Sequence, residues 1–108
     1  MNSEFVIVLT TLPIERDAEE FASQLVEEKL AACVNVLPAM RSVYRWKDAV
    51  ECADERQVII KTSASRVPTL EARIRQLHPY DVPEFVVLPI IQGSADYLSW
   101  LAAAVIGV

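Results

Sequence analysis

"CVNVLPAMRSVYRWK", residues 33–47, decides how this chain folds. Val34, Val36, Val43, Tyr44 and Trp46 are strand formers, and Pro38 interrupts them. Proline brings no N–H to a ladder, so inside a strand it marks an edge or a bulge. The segment therefore reads as one long bent strand. "KDAVECAD", 47–54, is polar enough to be the turn region of a hairpin, and "RQVIIKT", 56–62, reads as the returning strand. Such a hairpin is longer than its neighbours, so part of it must overhang the sheet it joins. A two-stranded ribbon alone is marginally stable. Tyr44 and Trp46 at its end call for a partner, which a neighbouring subunit is expected to supply.

Working outward, "EFVIVLTT", 4–11, reads as a buried strand, with Pro13 in a turn or helix start. Ala18, Phe21, Ala22, Leu25, Val26 and Leu30 then recur at helical spacing, which predicts an amphipathic helix over 15–31. Downstream, Ser65 is a candidate N-cap with Pro68 in the first turn. Val67, Leu70, Ile74 and Leu77 mark one face of a second helix, which Pro79 stops at His78. "EFVVLPII", 84–91, is the last strand. Gly93 and Ser94 introduce a short helix carrying Tyr97, Leu98, Leu101 and Val105 on one side.

The order β-α-β-β-α-β plus a C-terminal helix is an α+β, ferredoxin-like arrangement, one domain over 1–108. Right-handed crossovers put Cys33 at the bottom of the sheet and His78 at the top, with Cys52 at the His78 end. If the hairpin turns near Asp48 and Ala49, Trp46 faces Cys52. Cys33 then lies roughly 40 Å away at about 3.3 Å per residue, beyond disulfide reach.

Composition narrows the function. The chain is 53% hydrophobic with a net charge of −5, and no Lys/Arg cluster stands out. Nucleic-acid affinity rests on neutralised phosphates, so DNA and RNA are not expected partners. The opening residues carry neither a basic n-region nor a membrane-length apolar run, so a cytoplasmic protein is expected. The two glycines, Gly93 and Gly107, rule out a Gly-rich phosphate loop. No C-x-x-C or H-x-x-H pair is present, so a closed zinc site within one chain is not expected.

Several stretches together resemble the CutA family of divalent-cation tolerance proteins: "LVEEKLAACVNVLP" (25–38), "RSVYRW" (41–46), "IIKTSAS" (59–65), "HPYDVPE" (78–84) and "YLSWL" (97–101). Asp48 stands where many members carry glycine, two residues after the tryptophan of Y-x-W. The resemblance implies a PII-like subunit in a homotrimer locked by its hairpins, a link to copper and other divalent cations, and no established chemical reaction.

Each candidate residue has a plain and a functional reading. His78 is a helix stop, or a ligand for copper or zinc. Cys33 is a small core residue, or a soft ligand; Cys52 is the more exposed thiol. Tyr44, Trp46, Tyr80, Tyr97 and Trp100 are packing aromatics, or line an intersubunit cleft. In that cleft Lys61 would hold an anion, and Asp81 and Glu84 a cation. His78 has no nucleophile or orienting acid at diagnostic spacing, so an enzyme is not expected. The leading expectation is a cytoplasmic homotrimer for divalent metal tolerance, with copper as the bound ion. The alternatives are a PII-like sensor of a small anion and a structural trimer that anchors a partner protein.

Overall fold

A computed structural model of the chain describes residues 4–106. Both ends of the domain expected over 1–108 lie outside the described residues. The elements are β1 (Phe5–Pro13), α1 (Ala18–Glu27), β2 (Cys33–Trp46), β3 (Ala49–Ser63), α2 (Val67–Leu77), β4 (Val86–Pro89) and α3 (Ala95–Ala104). The four strands form one sheet in the order β2-β3-β1-β4, every neighbouring pair antiparallel. β1 and β2 therefore run one way and β3 and β4 the other.

Alternation along β1 sorts the two faces. Val6, Val8 and Leu12 point into a core with Phe21 and Leu25 of α1, Val58 and Ile60 of β3, and Leu70 and Ile74 of α2. The odd residues face the other way. Phe5 packs against a smaller cluster of Ala32, Leu101 and Val105, so α3 covers the lower end of the second face. Above it, Ile7, Leu9 and Ile59 are only half-buried. Val86 and Leu88, their β4 neighbours by register, are 46% and 43% exposed.

The hairpin is where the structure departs furthest from expectation. The turn is only Lys47 and Asp48, so "AVECAD" is strand rather than turn and Ala49 pairs with Trp46. Lys47 and Asp48 have φ of 49° and 65°. Positive φ at both central residues matches the twist of the flanking strands. β3 thus starts seven residues before the 56 expected, and Cys52 pairs with Val43 rather than Trp46. Cys33 pairs with Lys61, so the strand path between the thiols is roughly 33 Å, still beyond a disulfide. Both are free. The expected bulge at Pro38 is present: the β2–β3 register shifts between Val36 and Ala39. Past Pro13 and its partner Glu55, β2 and β3 continue without β1 as an overhanging ribbon.

Other boundaries moved for local reasons. α1 starts later than 15, because β1 runs on through Pro13 and Asp17 caps the helix, accepting from Glu20 N–H at 3.0 Å. It stops before 31 because Lys29 turns left-handed (φ 60°) and the Leu30 amide donates back to Leu25 O. Ser65 is not the cap of α2; a short 3₁₀ turn, Ala64–Arg66, leads into it, with Pro68 in the first turn as expected. β4 is shorter than 84–91; Pro89, lacking an N–H, ends it.

Candidate functional site

His78 ends α2 as expected, and the residue is 7% exposed. Nε2 lies 2.6 Å from Thr11 O, and Nδ1 lies 3.1 Å from Tyr80 N. A carbonyl only accepts, so Nε2 carries the proton and donates to Thr11. Nδ1 then accepts from the Tyr80 amide. Both nitrogens are engaged in fastening the 79–84 segment to β1. As placed, the imidazole offers no free lone pair, and a metal would have to displace the Tyr80 amide.

The two cysteines do not complete a site with it. Cys33 is half-buried at the lower end of the sheet, its thiol 3.8 Å from Asn35 Oδ1. Cys52 is exposed on the ribbon, where alternation along β3 turns it to the face opposite Glu55. Among the described residues no three His, Cys, Asp or Glu side chains converge as a metal site.

A cavity of about 680 Å³ lies where the ribbon leaves the sheet. Met40, Ser42, Tyr44 and Trp46 line it from alternate positions of β2, Thr11 and Gln57 from β1 and β3, and Tyr80, Asp81 and Glu84 from the segment after His78. Five residues expected in one cleft therefore meet: Tyr44, Trp46, Tyr80, Asp81 and Glu84. Lys61, Tyr97 and Trp100 are not among its lining residues. Lys61 sits beside Cys33 at the lower end, and Tyr97 and Trp100 meet on α3 as tilted rings with centroids 5.5 Å apart.

Glu55 is the charged cavity residue that sequence reasoning missed. It is 6% exposed. Its Oε2 accepts from Tyr80 Oη at 2.8 Å and from Thr11 Oγ1 at 3.3 Å. Burial, then the hydrogen bond to Glu55 and its charge, push the Tyr80 phenol pKa well above the usual tyrosine value. Beside it, Gln57 Nε2 donates to Thr10 O at 2.7 Å and to Glu84 Oε2 at 3.1 Å. Between Asp54 and Arg56, Glu55 reads in sequence as a solvated charge. Only its strand register, opposite Met40 and on the Thr11 face, could have revealed it.

A family model described as CutA1 divalent ion tolerance protein matches residues 6–104. The divalent-cation tolerance protein CutA of Thermus thermophilus is 47% identical over 95 residues, covering 88% of this chain and 92% of the relative. The Escherichia coli protein of that name is 42% identical over 103 residues, covering 95% and 92%. The solved divalent cation tolerance protein from Thermus thermophilus superposes with a TM-score of 0.89 at 45% identity, covering 93% of this chain and 97% of that one. CutA1 from Shewanella sp. SIB1 gives 0.91 at 36% identity, covering 96% and 97%.

Proposed function

The chain belongs to the CutA1 divalent ion tolerance family, and on that premise we propose that it works as a cytoplasmic, non-catalytic homotrimer that binds copper and supports divalent cation tolerance. The observation that carries the assembly is uncovered apolar surface. Half the sheet face opposite α1 and α2 stands open around Ile7, Leu9, Ile59, Val86 and Leu88, and on the ribbon Val43 and Val50 are 68% and 69% exposed. Patches of that kind in a folded chain need a partner. Sheet face and ribbon are different surfaces, so a contact between them is heterologous and repeats until a ring closes. Three copies is the number the family resemblance supplies.

Copper is preferred because thiolate and imidazole ligands suit it and Cu²⁺ stands at the top of the divalent affinity order. The described residues of one chain bring no three donors together, so the site is completed between copies. Its ligands are the thiols of Cys33 and Cys52, with His78 Nδ1 once the Tyr80 amide lets go. Cytoplasmic placement rests on the two unpaired thiols, which a reducing compartment protects. Light scattering tests the assembly; a species near the 12.1 kDa of one chain refutes it. Calorimetric titration with Cu²⁺ tests the metal, comparing wild type with Cys33→Ser, Cys52→Ser and His78→Ala. If all three variants bind like wild type, the ligand assignment fails.

A further inference from the structure

We propose that the cavity beneath the ribbon binds an organic ammonium ion with an extended carbon body, its nitrogen on Glu55 and its chain against Tyr44, Trp46 and Met40. The inference is independent of the copper reading and starts from one carboxylate. Glu55 is buried, 6% exposed. Among the described residues it has no ion-pair partner. Both hydrogen bonds it accepts come from neutral hydroxyls, and both fall on Oε2. Oε1 takes part in neither of those bonds, and Glu55 lines the cavity. A buried charge met only by neutral donors on one oxygen is incompletely compensated, and the missing group is a cation with N–H donors.

Three features choose the kind of cation. First, the lining holds three carboxylates, Glu55, Asp81 and Glu84, and neither lysine nor arginine. An anion is therefore disfavoured here, and Lys61, the residue expected to hold one, lies elsewhere. Second, no three carboxylate, thiol or imidazole side chains converge among the described residues. A bare metal ion needs several oxygens at one point; an ammonium needs only one carboxylate and directed acceptors. Third, the walls are aromatic. Tyr44 and Trp46 are 42% and 41% exposed, with ring area still open, and ring faces attract ammonium groups. Lys47 illustrates this from outside the cavity, its Nζ 5.9 Å from the Trp46 ring centroid. The volume, about 680 Å³, is that of a small-molecule site.

The experiment uses the intact protein and four probes near neutral pH: putrescine, n-butylammonium, 1-butanol and inorganic phosphate. Calorimetry and thermal shift should show binding of the two ammonium probes at up to millimolar concentration, and none of 1-butanol or phosphate. Glu55→Gln keeps an acceptor for Tyr80 and Thr11 but removes the charge, and should weaken the ammonium probes by at least about tenfold. Trp46→Ala serves as second variant, since its ring is outside the core; it should weaken binding several-fold without unfolding the chain. The proposal is overturned if neither ammonium probe binds, if 1-butanol binds as well, or if Glu55→Gln binds like wild type. It is also overturned if Glu55→Gln changes the assembly's mass while wild type takes no probe, because a basic side chain of another copy then fills the cavity.

Discussion

Replacing Tyr80 with phenylalanine removes a single oxygen and leaves the ring that packs against His78, at 4.8 Å between centroids. That oxygen donates at 2.8 Å to Glu55 Oε2, a buried carboxylate whose other donor, Thr11 Oγ1, is more distant at 3.3 Å. Hydrogen bonds to charged groups are worth about 1.5–3 kcal/mol net. Tyr80 is only half-buried, so water can partly replace it, and the low end, about 1.5 kcal/mol, applies. At a urea m-value of about 1.5 kcal/mol/M the midpoint should fall by about 1 M. Wild type and variant must be compared at equal protein concentration, because dissociation and unfolding are coupled in an oligomer. Repeating the substitution in a Glu55→Gln background makes the bond neutral, and its cost should drop to about 0.5–1 kcal/mol. An unchanged midpoint for Tyr80→Phe would refute the assignment of the 79–84 segment as a clasp on Glu55. Equal costs in the two backgrounds would show that the carboxylate's charge plays no part.

The same phenol sets an alkaline limit. Its pKa is raised in the fold, so the folded state holds this proton more tightly than an unfolded tyrosine of pKa about 10. The contribution is complete below about pH 10 and is lost as pH climbs beyond it. In a spectrophotometric titration, the tyrosinate absorbance missing from Tyr80→Phe should be one that rises well above that pH. At the hairpin turn, Asp48→Gly relieves a left-handed residue (φ 65°) and should raise stability by about 0.5–1 kcal/mol in chemical denaturation. In the core, Leu70→Ala at a fully buried site should cost about 2–5 kcal/mol by the same measurement. A loss under about 1 kcal/mol would mean that α2 is not anchored there.

The fold was legible wherever period and proline spoke. Apolar spacing placed both long helices, Pro38 announced the bulge, and Pro79 stopped α2 at His78. It was not legible where the chain turns left-handed. Those turns are usually marked by glycine, and this chain has two glycines in all. Lys29, Lys47 and Asp48 take the positive-φ positions instead. Two lysines in sequence look like helix surface and strand flank, so the end of α1 and the start of β3 were both misplaced. The second error propagated. With the turn read as eight residues long, "ECADE" had no register, and Glu55 could not be put on any face.

That register also decides the chemistry. Moving β3 by one residue would send Glu55 to the helix side of the sheet and bring Asp54 or Arg56 to the cavity. The observed pairing does the opposite: Arg56 turns away and donates to Leu37 O at 3.4 Å across the bulge, while Arg41 and Asp54 meet at 3.3 Å on the ribbon. The bulge at Pro38 adds one extra residue, to β2 alone: three steps from Val36 to Ala39 face two from Val58 to Arg56. Beyond it Met40, Ser42, Tyr44 and Trp46 therefore share a face with Glu55 and Gln57. The proline that first marked the hairpin as irregular is thus also what seats aromatic rings over a buried carboxylate. A deletion of Leu37 and Pro38 together takes out one residue more than the bulge adds, so a regular ladder from Val36 onward pairs Met40 with Arg56 instead of Glu55. It should leave the pairing of β1 and β3 intact yet turn Met40, Ser42, Tyr44 and Trp46 to the face away from Glu55. If such a variant kept both the wild-type urea midpoint and full ammonium binding, the bulge would have no role in building the cavity.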